Sequence, residues 1–143
     1  MPYRYLEDIA TADVAFEAWG ETREELFVSA ADALLATMSG APDEVARQEE
    51  LTIRLGDEEP DLLLWLFLQE LVFYKDARGL LLHAQRVTIA EQGGTVTLEA
   101  TLRGEKLDPG RHRLLVDVKA VTLHRLRLVR EENLWKATVV LDV

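Results

Sequence analysis

The sequence predicts an α+β fold, a mainly antiparallel β-sheet with two packed α-helices. Three observations predict it. Residues 14–19 and 51–55 alternate apolar and polar side chains with the period-two pattern of half-buried strands. Two stretches, one opening at Thr22 and one at Pro60, carry helix start signals and broad apolar stripes. Two long strand-like runs flank Gln92-Gly93-Gly94, a strong hairpin turn signal.

Taken in order, Tyr3 to Leu6 and Val14 to Trp19 read as two strands around a turn at Ala10 to Asp13. Thr22 followed by Glu25 is a capping box, so a helix should begin there. Leu26, Ala30, Leu34 and Met38 give its buried stripe, and Gly40 and Pro42 end it. A charged connector, 41–50, leads to a strand on Leu51, Ile53 and Leu55. Pro60 suits the first turn of a second helix running to about Asp76, with Gly79 as its stop. That helix is apolar nearly all round from Leu62 to Leu68, which predicts a place inside the core. Strands are then expected at Leu80 to Ala90 and Thr95 to Arg103, a loop at Gly104 to Arg113, and strands at Lys119 to Arg130 and Leu134 to Val143. No repeat or composition shift divides the chain, so 1–143 is expected to be one domain.

Composition bounds the function. With 48% apolar and 29% charged residues the chain has the make-up of a globular protein. It has no cysteine, which excludes disulfides, thiolate metal sites and thiol nucleophiles and fits a reducing compartment. The opening MPYRYLED lacks the basic-then-apolar pattern of a signal peptide, and the apolar run Leu62 to Leu68 is too short to span a bilayer. A cytoplasmic location without membrane attachment is the expectation. The net charge of -10 opposes phosphate binding, so strong direct nucleic-acid binding is not expected. Any local basic patch should fall in the stretch from Arg103 to Arg130. Cations or a basic protein surface are the better-matched partners.

Standard catalytic patterns are missing: no phosphate-binding glycine loop, dinucleotide fingerprint, HExxH or G-x-S-x-G. His83, His112 and His124 are not spaced as a zinc site on one element. Ser29 and Ser39, the candidates for a hydrolytic triad, fall on a helix that reads as structural. Three features remain. The sequence closes on Asp142-Val143, where an ordered strand would hold the α-carboxylate of Val143 beside the Asp142 side chain. Two anions so close repel unless a cation neutralises them, and all-oxygen donors suit Ca²⁺ or Mg²⁺. The other reading is an end lying in water, where the repulsion is screened. Asp13, in the turn, is a second candidate, though an Asp there often just bonds its own backbone. The stretch Asp108 to His112, followed by Asp117 and Lys119, gathers charges of both signs in one loop, as functional loops and plain solvated connections both do.

These segments together resemble the archease family over essentially the whole chain. The resemblance rests on Thr11-Ala12-Asp13 before an alternating strand ending Trp19-Gly20, on Glu25-Leu26-Phe27, and on Leu68-Gln69-Glu70-Leu71 with Gly79-Leu80-Leu81. Its most specific blocks are Gly104-Glu105-Lys106, Asp108-Pro109-x-Arg111-His112, Val118 to Thr122 with His124, and Val140-Leu141-Asp142-Val143. The chain departs from the family pattern in having Ala10 where His is usual, Leu123 where Tyr is usual and Gln69 where Asn is usual. The resemblance implies a non-enzymatic accessory factor for the tRNA-splicing RNA ligase, which joins a 3′-phosphate or 2′,3′-cyclic phosphate end to a 5′-hydroxyl. Such factors promote the ligase–guanylate intermediate and restore multiple turnover. It further implies a divalent cation, typically Ca²⁺ with Mg²⁺ as the alternative, on Asp13, Asp142 and Val143. Arg111 and Asp117, with His112 and Lys119 beside them, are the implied partner-activation residues. The readings set against it are a metal-dependent hydrolase using Asp13, Asp142, His112 and Lys119, and a general chaperone-like adaptor.

Overall fold

Eight strands and two helices follow one another in the computed structural model, which describes residues 2–7 and 13–143. They are β1 (Tyr3–Leu6), β2 (Val14–Gly20), α1 (Arg23–Met38), a 3₁₀ turn (Pro42–Glu44), β3 (Glu49–Asp57), α2 (Pro60–Arg78), β4 (Leu80–Gln92), β5 (Thr95–Lys106), β6 (Ala120–Val121), β7 (Arg127–Glu131) and β8 (Leu134–Asp142). The α+β class holds. The expected turn at Ala10 to Asp13 lies, apart from Asp13, outside the described residues.

The strands form two antiparallel sheets rather than one. The first has the order β1-β2-β8-β6, with β7 also paired to β8; the second is β3-β5-β4. Helix α1 packs on β2 of one sheet and β4 of the other, while α2 packs on β3, β4 and β5 and on β6. The helices therefore join the two sheets through a single buried cluster that includes Phe16, Phe27, Phe67, Leu102 and Val139. That placement explains why α2 is apolar on nearly every side: it has a sheet on more than one flank.

Local chemistry sets the boundaries. The Thr22 hydroxyl accepts from the Glu25 N–H (3.1 Å) and the Glu25 carboxylate accepts from the Thr22 N–H (3.0 Å), a complete capping box. Pro60 opens α2 and Gly79 closes it with its N–H on the Lys75 carbonyl. Gly93 and Gly94 turn the β4–β5 hairpin with φ of 59° and 82°, values that a β-carbon would oppose.

One expected strand is corrected. Residues 119–130 do not run as a single strand: β6 and β7 are separated by a turn in which the Leu126 N–H bonds the Leu123 carbonyl and Arg125 takes φ 54°. Both pieces pair with β8, at opposite ends of it. The segment folds back so that one long strand can serve as partner twice, which its local alternation does not reveal. The loop before it is also displaced. Strand β5 continues to Lys106 and the irregular segment spans 107–119.

Candidate functional site

Strand register organises the first group of residues. β2 and β8 pair from Gly20↔Trp135 to Val14↔Leu141. The paired register ends at Val14↔Leu141, and Asp13 and Asp142 are the next residues along their two chains. Both aspartates are exposed. Neither has a salt-bridge partner among the described residues. On its other side β8 pairs with β6, matching Ala120 to Asp142, and the Lys119 N–H donates to the Asp142 carbonyl at 2.8 Å. Val143 packs its side chain against the core. Asp13, Asp142, Val143 and Lys119 thus meet at one corner of the first sheet. Carboxylates on neighbouring strand ends repel where they come close. Their oxygens form the donor type that a hard cation accepts, and two such side chains leave most positions to main-chain oxygen and water. No group of three or more His, Cys, Asp or Glu side chains suited to a metal occurs among the described residues.

Arg111 and His112 belong to a second cluster, built around Glu105 at the end of β5. The Glu105 carboxylate is nearly sealed from solvent and contacts the Arg111 guanidinium and the Ala46 N–H. The His112 Nε2 lies 3.2 Å from Oε2, the oxygen that also takes the Ala46 N–H. The His112 Nδ1 accepts from the Asp108 N–H at 2.8 Å, which places the ring proton on Nε2, 3.2 Å from the carboxylate and 2.9 Å from the Arg111 guanidinium. Burial, and then the Arg111 charge, hold the His112 pKa below its ordinary 6.5. The Asp108 side chain accepts from the Gly110 N–H (3.0 Å) and its carbonyl accepts from the Arg111 and His112 N–H groups, closing the turn.

Asp117 belongs to a third cluster. Lys75, buried in the last turn of α2, donates to Asp117 Oδ1 at 2.5 Å and to the Val118 carbonyl at 2.7 Å, and lies 2.8 Å from Asp76. Burial lowers the Lys75 pKa, but the Asp117 and Asp76 carboxylates outweigh it and the net shift is upward. Gln69 and Trp65 continue the anchoring along the same helix: the Val121 N–H donates to the Gln69 side chain and the Trp65 ring N–H donates to the Val121 carbonyl, both at 2.6 Å.

The sequence singles out Arg111, His112 and Asp117 but not the groups they pair with. Lys75 had a signal, since it continues the inward stripe of Leu64, Leu68, Leu71 and Val72. Glu105 stands in the Gly104-Glu105-Lys106 block of the resemblance, but its burial had no signal: it lies on the outward register of β5, beside the inward Leu102 and Gly104, and is covered by distant chain. Ser29, the triad candidate, is buried with its hydroxyl donating to the Glu25 carbonyl. A crevice of ≈ 620 Å³ between α1 and the β2–β8 end, lined by Trp19, Glu24 and Asp32, shares no residue with these clusters.

Comparison with known proteins bears on the whole chain. Residues 3–143 match the Archease protein family. A protein archease of Methanopyrus kandleri is 34% identical over 143 residues, covering 100% of both chains. One of Pyrococcus furiosus is 32% identical, covering 93% of this chain and 94% of its own. The solution structure of a Methanobacterium thermoautotrophicum protein superposes with a TM-score of 0.86 at 33% identity, covering 99% of each chain. The crystal structure of a Thermotoga maritima protein, described as an archease and possible chaperone, shares the fold with a TM-score of 0.66 at 24% identity over 96% of each chain.

Proposed function

The chain belongs to the archease family, and from that premise we propose that it is a metal-binding accessory protein that activates the tRNA-splicing RNA ligase. It would act by promoting ligase guanylylation and so sustaining multiple turnover of 3′-phosphate to 5′-hydroxyl joining. The observation that supports the reading is the β2–β8 register, which ends at Val14↔Leu141, so that Asp13 and Asp142 follow neighbouring paired residues although they lie near opposite ends of the sequence. Two neighbouring carboxylates without a counter-charge are costly for a sheet end to keep unless something cationic is held between them. Asp13, Asp142 and a main-chain oxygen of Val143 would hold a hard cation, Ca²⁺ before Mg²⁺ because the set is open and irregular. The cation would supply positive charge at an otherwise anionic corner. Lys119, at the same corner, would face the partner beside it.

Activation requires that this surface favour one state of the ligase, or the transition state of nucleotide transfer, over the others. The hydrolase alternative draws no support from the loop, because both ring nitrogens of His112 are engaged inside it. The test is ligation by the cognate ligase with substrate in excess, with and without this protein. Stimulation of turnover, abolished by Asp142→Ala, is the expected result. A ligase that turns over equally well without the protein rules the reading out.

A further inference from the structure

Segment 107–119 pairs two of its charges with buried partners. Arg111 is matched by Glu105, and Asp117 by Lys75. What the segment offers to solvent between those two anchors is Leu114, Leu115 and Val116, 42%, 56% and 38% exposed. Three consecutive exposed apolar side chains are unusual on an acidic chain, and such patches mark interaction surfaces. Their backbone is not loose. Gly40 N–H bonds the Arg113 carbonyl at 2.7 Å, the Leu115 N–H bonds the Met38 carbonyl at 2.9 Å, and Leu114 bridges to Ser39. A recess of ≈ 110 Å³, lined in part by Met38, Leu81 and Leu107, opens beneath them.

Charge identifies what would cover the patch. Once the two anchor pairs are set aside, the exposed cations left on the segment are Arg113 and Lys119, one on each side of the apolar trio, with no salt-bridge partner among the described residues. A chain of net charge -10 therefore presents here a small apolar surface flanked by two free cations, with the Asp117 carboxylate beside Val116 already paired to Lys75. We infer that Leu114, Leu115 and Val116 dock into an apolar cleft of a partner protein whose rim is acidic opposite Arg113 and Lys119. Aliphatic side chains do not offer the aromatic stacking surface that single-stranded nucleic acid uses, so a protein is the occupant rather than RNA. The anchors make the surface rigid before binding, which lowers the ordering cost of association. Arg111, His112 and Asp117 then act as positioning residues that hold the segment in shape.

This inference rests on the ligase reading for the identity of the partner. The experiment measures the affinity of the cognate RNA ligase for the full chain, for Leu115→Asp, for Val116→Asp and for the double variant Arg113→Glu/Lys119→Glu, with melting temperatures alongside. Both single variants should weaken binding by about tenfold or more while melting like the parent, because the side chains are exposed. The double variant should lose most of its affinity difference as salt rises. If the parent does not bind the ligase, the ligase reading falls and this inference with it. If the parent binds and stimulates while Leu115→Asp and Val116→Asp bind equally well, the docking surface alone is refuted. Binding of a broken tRNA by the parent, lost in Leu115→Asp, would also overturn it.

Discussion

The β3-β5-β4 sheet and the segment 107–119 use charge in opposite ways. In the sheet, Arg54–Glu99 (2.8 Å) and Arg103–Glu50 (3.6 Å) are cross-strand pairs lying on the exposed face, while Ile53, Leu98 and Leu102 supply the buried one. Hydrophobic register alone fixes such a sheet, and its surface pairs are incidental. The segment has few apolar anchors. It is shaped by two buried ions from neighbouring elements, Glu105 and Lys75, each matched by a charge on the segment itself. Stability in one region follows area; in the other it depends on single groups.

Glu105→Ala breaks that comparison hardest. It strands the Arg111 charge, the Nε2–H of His112 and the Ala46 N–H together. Since Arg111 is half-exposed and can turn to water, the loss should sit near the lower end for a broken buried pair, about 3 kcal/mol by urea unfolding.

The next effect is on pH. His112 and His83 are both held below their ordinary 6.5, in each case mainly by burial. With the folded-state value depressed, the unfolded chain binds more protons, so stability is intact above pH 6.5 and falls as pH drops through it. Urea midpoints at pH 7.5 and 5.5 should show this drop, and His112→Gln should narrow it.

The smallest effect should come from the sheet. Arg54→Ala removes a well-formed but exposed pair and should cost no more than about 0.5 kcal/mol, a shift hardly visible in the same titration. A loss there as large as that of Glu105→Ala would erase the distinction between the two regions.

How much was legible follows the same divide. The capping box at Thr22, the Pro60 and Gly79 limits of α2 and the Gly93-Gly94 hairpin are local signals, and each marks its element within a residue or two. What failed was non-local. Nothing in residues 119–130 announces that β8 pairs with their two ends separately, and no pattern in β5 marks Glu105 as buried. The division into two sheets is equally a matter of which strands meet, not of what each strand is. The corner carrying Asp13 and Asp142 came from motif resemblance, and the β2–β8 register supplies a physical reason to take the two together.

That corner bears the central claim, and thermal melting with and without calcium tests it directly. At calcium about a hundredfold above its dissociation constant, site occupancy should add about 2.7 kcal/mol, roughly 5–10 °C in melting temperature for a chain of this size. Asp142→Ala should abolish that shift while leaving the calcium-free melt unchanged or slightly higher, because one of two neighbouring anions is gone. A calcium shift of the same size in Asp142→Ala as in the parent would contradict the account.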